Sequence, residues 1–343
     1  IYGIENATRF YFDKSAKNLT LAEASILAGI PKHPAKYSPL MDELGAKKRQ
    51  NLILKMMVKN NYITEKEKKL ALAEPLVFVR KQDKLNSATV MYYQDAVMRE
   101  LKKISTIPQS FIETGGLKIF TNLDMDAQID LEESIKNNLK NNPTIQVASI
   151  MIKPMDGRII ALIGGRDYST SPYNRTVQSA RQVGSIMKPF LYYAALENGF
   201  TSSTTFISEP TTFTFGEDKT YSPSNYGDKY PDKPISLAIA LAYSDNIYAI
   251  KTHLFLGAEV LVDTAKRVGI DTPLTPLPSL PLGTEEINII DLIGGYSSFA
   301  NGGYKIEPYL INKVENSQGG VLYVHKFKEE KIVFHFLIKI ISK

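Results

Sequence analysis

Residues 184–199 read GSIMKPFLYYAALENG, and this stretch decides how the surrounding chain must fold. From 190 to 196 every residue is apolar or aromatic, so a helix formed here has no polar face and has to be buried. Pro189 is tolerated only in the first turn of a helix, where backbone N–H groups lack partners within the helix. We therefore predict a buried helix that starts near Ser185.

The start of this helix carries a candidate nucleophile and base. Ser185 and Lys188 are three residues apart, which places them on one helical face. A serine hydroxyl is a weak nucleophile until a base takes its proton, and a lysine amine can do so when burial lowers its pKa. The N–H groups at a helix N-terminus also suit a developing oxyanion. The same spacing arises when a serine caps a helix and a lysine extends along an apolar surface, so the pair alone leaves both interpretations open.

A second polar cluster, Ser244-Asp245-Asn246, lies between the apolar runs ISLAIALAY and IYAI. Serine, aspartate and asparagine are the preferred residues at helix N-caps, so this triplet also has two interpretations when taken alone. The order S-x-x-K followed by S-x-N is, however, the signature of penicillin-binding proteins and serine β-lactamases.

The resemblance extends well beyond these two motifs, to the class A penicillin-binding proteins, which are bifunctional peptidoglycan synthases. The segments that resemble this family are YGIENATRFYFDKSAKNLTLAEASILAGIPKHPAKYSP (2–39), GGLKIFTNLDMDAQ (115–128), RQVGSIMKPFLYYAALENG (181–199), YSPSNYGDKYPDKPISLAIALAYSDN (221–246) and SLPLGTEEINIIDLIGGYSSFANGGYKIEPYLI (279–311). Together they cover most of the chain up to about residue 325.

The resemblance implies an α+β multidomain fold. Residues 1–75 are similar to the C-terminal part of a lysozyme-like, α-helical glycosyltransferase domain, and 76–144 to the inter-domain linker region. Residues 145–325 resemble an incomplete penicillin-binding transpeptidase domain, an antiparallel sheet with helices, and 326–343 form an atypical tail.

Local signals agree with this organisation. Capping boxes at 20–23 and 64–67 predict helix starts in the N-terminal region. The Asp-Gly pair at 156–157, between VASIMI and RIIALIGG, predicts a β-hairpin. Proline and glycine are frequent in 208–235 and 271–284, which predicts long surface loops there.

By the resemblance, Ser185 attacks the carbonyl of the penultimate D-alanine of a peptidoglycan stem peptide, and an acceptor amine resolves the acyl-enzyme. Lys188 would deprotonate Ser185, and Ser244 would relay a proton to the leaving amine or to a β-lactam nitrogen. Asn246 would hold Lys188 and the substrate amide, whereas Asp245 needs no role. The backbone N–H of Ser185 would supply half of the oxyanion hole.

The other half comes, in this family, from the strand that bears a K-T-G motif, and no K-T-G occurs in this sequence. Since loss of one oxyanion donor costs about 100- to 1,000-fold in rate, we expect weak or no transpeptidation by this chain. The catalytic glutamates of the glycosyltransferase are not matched by Glu5 or Glu23, and Glu23 fits its capping box. We therefore expect that residues 1–75 do not polymerise glycan.

Composition limits the other classes of function. The chain has no cysteine, and its 4 histidines show no metal-ligand spacing, so we expect neither disulfides nor a metal site. No apolar run reaches the roughly 20 residues of a membrane span, and the N-terminus lacks a signal-peptide pattern. The net charge of +5 arises in residues 1–75, which suits either an anionic partner or a solvated helical surface.

The partners implied by the resemblance are peptidoglycan stem peptides, glycan strands and β-lactam antibiotics, with a lipid-linked precursor in the full-length family. Transpeptidation needs no cofactor, and no nucleic acid is implied. The expected location is the extracytoplasmic face of the bacterial cell membrane, through an anchor that this chain does not contain. Two alternatives stay open: a serine β-lactamase or β-lactam sensor, and an inactive truncated product.

Overall fold

The structure is a computed structural model that describes residues 3–78, 90–215, 219–328 and 330–332. Most of the tail predicted at 326–343 lies outside these residues. The α-helices, in chain order, are α1 (Ile4–Phe12), α2 (Leu21–Gly29), α3 (Pro34–Tyr37), α4 (Glu43–Lys59), α5 (Glu65–Ala73), α6 (Met91–Lys103), α7 (Gln109–Thr114), α8 (Met125–Asn138), α9 (Arg175–Gln178), α10 (Lys188–Glu197), α11 (Leu237–Ala242), α12 (Asn246–Leu256), α13 (Ala258–Arg267) and α14 (Ile289–Ala300).

The strands are short, and most of them pair antiparallel. They are β1 (Lys118–Thr121), β2 (Ser149–Ile152), β3 (Ile159–Ile163), β4 (Ala180–Gln182), β5 (Thr205–Ser208), β6 (Phe213–Phe215), β7 (Lys219–Tyr221), β8 (Lys233–Ser236), β9 (Glu286–Asn288), β10 (Ile311–Glu315) and β11 (Val321–Val324). The pairs are β2 with β3, β4 with β9, β5 with β8, β6 with β7 and β10 with β11. The α+β class predicted from the sequence is confirmed.

The described residues fall into two units. The first contains 3–78, 90, 101–119 and 313–324, and the second contains 91–100, 120–215, 219–312, 325–328 and 330–332. Among the helices of the described residues, none has the length and apolarity that crossing a membrane requires.

The first unit is mainly helical, and both predicted capping boxes start helices in it. Thr20 accepts a hydrogen bond from the backbone N–H of Glu23, whose carboxylate accepts one from the N–H of Thr20, so α2 begins at the next residue. Thr64 and Glu67 do the same at the start of α5. Each box satisfies two N–H groups that would otherwise lack partners at a helix start.

The second unit is built around α10. Phe190, Leu191, Tyr192 and Tyr193 are all 0% exposed, which confirms the buried helix predicted from its apolar sequence. Burial of a fully apolar side chain such as Phe190 or Leu191 contributes about 1.5–3 kcal/mol. The hairpin predicted at the Asp-Gly pair is also confirmed, as β2 and β3.

The prediction of long surface loops at 208–235 and 271–284 is wrong in part. Within 208–235 the chain forms β6, β7 and β8, and β8 pairs with β5 in a register that places Ser208 opposite Lys233. Within 271–284 lies a 3-10 turn whose residues Leu280 and Pro281 are buried. Most described residues of 208–235 are nevertheless exposed, and the buried ones include Ser208, Asn225 and Ile235.

Candidate active site

A 3-10 turn, Gly184–Met187, carries Ser185 and leads into α10. The α-helix itself starts at Lys188, three residues after the predicted start, with Pro189 in its first turn. Three residues complete one turn of a 3-10 helix, so Ser185 and Lys188 lie on the same side of the chain. Ser185 is exposed, and among the residues that the structure describes its hydroxyl has no hydrogen-bond partner. The hydroxyl is therefore available to a substrate.

The amine of Lys188 joins the two sequence motifs. The residue is only 1% exposed. Its Nζ donates to the backbone oxygen of Ser244 at 2.6 Å, to Ser244 Oγ at 3.0 Å and to Asn246 Oδ1 at 2.6 Å. The structure therefore brings three of the four predicted site residues into direct contact, and Ser185 lies on the turn that precedes them.

Burial makes Lys188 a weaker base than a free lysine but a usable one. Loss of solvent lowers the pKa of Lys188 to about 8, and the carboxylate of Asp245 opposes this shift. At neutral pH about one tenth of the amine is then unprotonated, far more than for a lysine in water. A neutral amine can act as the base for a serine hydroxyl that lies one helical turn away.

Ser244 has an unusual backbone conformation. It lies between α11 and α12 with a φ of +55°, in the left-handed region that costs a non-glycine residue about 1–2 kcal/mol. In this conformation both its carbonyl oxygen and its hydroxyl accept hydrogen bonds from Lys188. Strain of this kind persists where the surrounding structure enforces it, and it is concentrated at active sites.

The triplet Ser244-Asp245-Asn246 both caps a helix and forms part of the candidate site. Asp245 is the N-cap of α12 and accepts the backbone N–H of Tyr248 at 2.7 Å, while its two neighbours contact Lys188. The sequence alone assigns Asp245 no role, and the structure corrects this. Asp245 is 5% exposed and also accepts hydrogen bonds from Ser208 Oγ at 2.5 Å and Asn225 Nδ2 at 2.8 Å.

Ser208 and Asn225 were not identified from the sequence as part of the site. Asn225 accepts the backbone N–H of Asn246 at 2.8 Å, and the backbone oxygen of Ser224 accepts Asn246 Nδ2 at 2.7 Å. Ser208 is fully buried. Ser208 and Asn225 lie in a segment predicted to be a surface loop. The one available signal for Asn225 was the family resemblance of the stretch that contains it.

Two glycines in contact, Gly184 and Gly283, form a glycine pair that fixes the turn carrying Ser185. Gly184 N donates to Gly283 O at 3.1 Å, and a Cβ on Gly283 would lie 2.1 Å from Gly184 O and 2.3 Å from Gly184 N. Gly283 also has a φ of +68°, which favours glycine. On the other side of Ser185, Tyr296 Oη donates to Ile186 O at 2.5 Å. The segment that contains Gly283 therefore holds the backbone on which Ser185 lies.

Substitution Gly283→Ala is expected to lower the rate of serine acylation by about 100-fold, because the added carbon forces the backbone of Gly184 to move and a shift of about 1 Å costs that much. The measurement is the second-order rate of labelling by a fluorescent penicillin. Gly257→Ala is the matched control, since Gly257 has a φ of +92° and no atom within 4 Å of its added Cβ. Equal rates for the two variants would contradict the role given to the glycine pair.

In the described part of the chain, no group of three or more histidine, aspartate or glutamate side chains is placed to hold a metal ion. The site instead offers an exposed hydroxyl, a buried amine of lowered pKa and a second hydroxyl bonded to that amine. This set of groups suits nucleophilic acyl transfer.

Two family models match the chain. The model described as "Penicillin binding protein transpeptidase domain" matches residues 147–335, and the model described as "Transglycosylase" matches residues 1–58. Penicillin-binding protein 2D of Bacillus subtilis is 46% identical over 333 residues, which cover 97% of this chain and 48% of the relative. Penicillin-binding protein 1A of Aquifex aeolicus is 29% identical, over 94% of this chain and 55% of the relative. The chain thus spans about half the length of these two relatives.

Solved structures show the same fold. The crystal structure of penicillin-binding protein 1A from Haemophilus influenzae has a TM-score of 0.75 and 23% identity, and the match covers 99% of this chain and 69% of that one. The structure of the PonA1 protein from Mycobacterium tuberculosis in complex with penicillin V has a TM-score of 0.66 and 23% identity, over 75% of this chain and 70% of that one.

Proposed function

The chain belongs to the class A penicillin-binding proteins, and from this membership we propose that its site performs serine-type D,D-acyl transfer in peptidoglycan synthesis. The observation that carries the proposal is the contact of the buried Lys188 amine with both Ser244 and Asn246, one turn from the exposed Ser185. The proposed donor is a stem peptide that ends in D-Ala-D-Ala. Since the PonA1 protein forms a complex with penicillin V, penicillin is proposed as a covalent inhibitor of this chain as well.

In the proposed acylation, the neutral Lys188 amine takes the proton of the Ser185 hydroxyl as the oxygen attacks the carbonyl of the penultimate D-alanine. The backbone N–H of Ser185 lies in the first turn of its helix, where such groups have no partner within the helix, and it donates to the oxyanion. Ser244 bridges the amine and the substrate, so the proton can pass through its hydroxyl to the leaving nitrogen.

The intermediate collapses with cleavage of the peptide bond, which releases the last D-alanine as a free amine and leaves Ser185 acylated. The amine of a second stem peptide then attacks the ester, Lys188 accepts a proton from it, and the Ser185 oxygen leaves and regains its proton. A β-lactam takes the same first step, but its opened ring stays attached, so the acyl-enzyme accumulates. Asn246 Oδ1 keeps the amine in place throughout these proton transfers.

For the protein as a whole we propose the domain organisation predicted from the sequence, with 1–75 as part of a glycosyltransferase domain, 76–144 as the inter-domain region and 145–325 as the transpeptidase domain. The transglycosylase match supports the first of these assignments. A lipid-linked glycan precursor and glycan strands are the proposed partners of the glycosyltransferase. The extracytoplasmic face of the cell membrane is the proposed location, in keeping with cell-wall synthesis by the relatives.

The direct test is to incubate the chain with a fluorescent penicillin, digest it with trypsin and locate the label by mass spectrometry. Because Lys188 precedes a proline, the expected labelled peptide is 182–219, which contains Ser185. A stable label on this peptide supports the proposal. Label that is rapidly released as hydrolysed penicillin would indicate a β-lactamase instead, and a chain that takes up no label would contradict acylation at this site.

The rate of acylation is expected to rise with pH and to level off above a midpoint of about 8, because only the unprotonated form of Lys188 accepts the serine proton and its pKa is about 8. Below the midpoint the rate should fall about tenfold for each pH unit as the amine becomes protonated. The measurement is the second-order labelling rate as a function of pH. A rate that stays constant from neutral pH to the midpoint would rule out this lysine as the base.

A further inference from the structure

We propose that Asp245 is a positioning residue for acyl transfer: its carboxylate, held by Ser208 and Asn225, fixes the triplet so that Ser244 and Asn246 face Lys188. The inference rests on the proposed function, since positioning is measured through acylation. The proposal gives a functional role to Asp245, the middle residue of S-D-N, and to the buried polar residues Ser208 and Asn225.

The first observation is the burial of a carboxylate. Asp245 is only 5% exposed, and none of the ion pairs among the described residues includes it. Burying a charge costs several kcal/mol unless hydrogen bonds compensate for the lost water. A neutral side chain would avoid the free-energy cost of burying this charge. The contacts that hold the carboxylate of Asp245 therefore need an explanation.

Those contacts exceed what helix capping requires. An N-cap side chain needs to accept one backbone N–H, and Asp245 Oδ1 does so with Tyr248 at 2.7 Å. The second oxygen, Oδ2, accepts two further bonds, from Ser208 Oγ at 2.5 Å and from Asn225 Nδ2 at 2.8 Å. These donors are 37 and 20 residues away in the sequence, so they tie the start of α12 to distant parts of the fold.

Asn225 carries the effect from the carboxylate to the site. Its Nδ2 donates to Asp245, and its Oδ1 accepts the backbone N–H of Asn246 at 2.8 Å. Ser224, the residue before Asn225, orients the side chain of Asn246, because Asn246 Nδ2 donates to Ser224 O at 2.7 Å. Its Oδ1 is thereby left to accept from Lys188 at 2.6 Å. The hydrogen bonds thus form a continuous path from the carboxylate to the catalytic amine.

The chemistry of the three donors selects a carboxylate at this position. A backbone N–H, a hydroxyl and an amide NH2 all point at the two oxygens of Asp245. An asparagine could still cap the helix, but it would have to turn its own NH2 either toward Tyr248 N or toward Ser208 and Asn225. One donor group would then face another, and the buried polar atoms concerned would lose their partners.

The charge of Asp245 also acts on Lys188. It raises the pKa of Lys188 against the larger lowering caused by burial. The carboxylate also acts on the phenol of Tyr192 on α10, whose pKa burial raises well above its usual value, so this phenol stays neutral. Removal of the charge at Asp245 therefore changes the titration of Lys188 in a predictable direction.

The test is Asp245→Asn, which keeps the shape of the side chain and its ability to cap. On the alkaline plateau we expect the second-order rate of labelling by fluorescent penicillin to fall about 10- to 100-fold, as for a displaced catalytic group. The midpoint of the pH profile should move to lower pH, because the anion that favours protonated Lys188 is gone. A residue that serves only stability would leave the plateau rate per folded molecule unchanged, whereas loss of the charge moves the midpoint in either case.

Asp124→Asn is the matched control, since Asp124 caps α8 by accepting the N–H groups of Asp126 and Ala127 and has no contact with the site. It should leave rate and midpoint unchanged. If Asp245→Asn does not fold, Asn225→Ala takes its place, because it breaks the path to Asn246 but keeps the capping bond of Asp245 to Tyr248. Its plateau rate should fall about tenfold or more.

The outcomes separate this inference from the proposed function. If the unaltered chain is not labelled, the proposed function fails. If the unaltered chain is labelled and Asp245→Asn or Asn225→Ala reaches a plateau rate within about twofold of it, the proposed function stands and the positioning role of Asp245 is overturned.

Discussion

Ser185→Ala is expected to abolish covalent labelling by penicillin completely, because the oxygen that forms the acyl bond is removed. The side chain is exposed and its hydroxyl has no partner among the described residues, so no structural contact is lost. The free energy of unfolding should change by no more than about 0.5 kcal/mol. Gel fluorescence after incubation with the labelled antibiotic measures the first effect, and thermal unfolding measures the second.

A comparison with Ser202→Ala controls for general effects of removing a serine hydroxyl, since Ser202 is also exposed and lies in the same unit. This control should be labelled at the rate of the unaltered chain. Any labelling of Ser185→Ala that survives denaturation would mean that another residue is acylated, and the assignment of the nucleophile would be wrong.

Lys188→Met is expected to lower the acylation rate by about 100- to 10,000-fold, the usual contribution of general base catalysis. Methionine fills a similar volume in the interior and carries no charge, so the helix should remain packed. The variant leaves Ser244 and Asn246 without the amine that they bind. The measurement is again the second-order labelling rate, taken on protein whose folded fraction has been determined.

Lys251→Met is the control for this prediction. Lys251 also donates to a backbone oxygen, that of Ile207 at 2.8 Å, but it makes no hydrogen bond to the triplet. Its labelling rate should stay within about twofold of the unaltered chain, as for most surface substitutions. A Lys188→Met variant that is labelled within tenfold of the normal rate would show that another group takes the proton.

Local sequence patterns predicted the elements that depend on near neighbours. The capping boxes, the hairpin at the Asp-Gly pair and the buried α10 were all confirmed. The start of α10 was misplaced by one turn, because the 3-10 geometry of Gly184–Met187 depends on contacts with Gly283 and Tyr296, far away in the sequence. Residues 208–235 were misread in part, because proline and glycine content does not reveal strand pairing. Here β6 pairs with β7 inside this segment, and β8 pairs with β5, which begins before it.

The sequence by itself determined the class of fold through its family resemblance. It also named Ser185, Lys188, Ser244 and Asn246 as candidates, because the order of the S-x-x-K and S-x-N motifs is part of that resemblance. Only the tertiary structure decided how the residues act together. Burial, which lowers the pKa of Lys188, and the left-handed backbone of Ser244 come from packing around α10 and α12. The contacts of Asp245 are likewise visible only in the tertiary structure, because in the sequence Asp245 is no more than a possible helix-capping residue. In the fold it is a buried carboxylate with three donors, because β5 and the loop before β8 bring Ser208 and Asn225 to it.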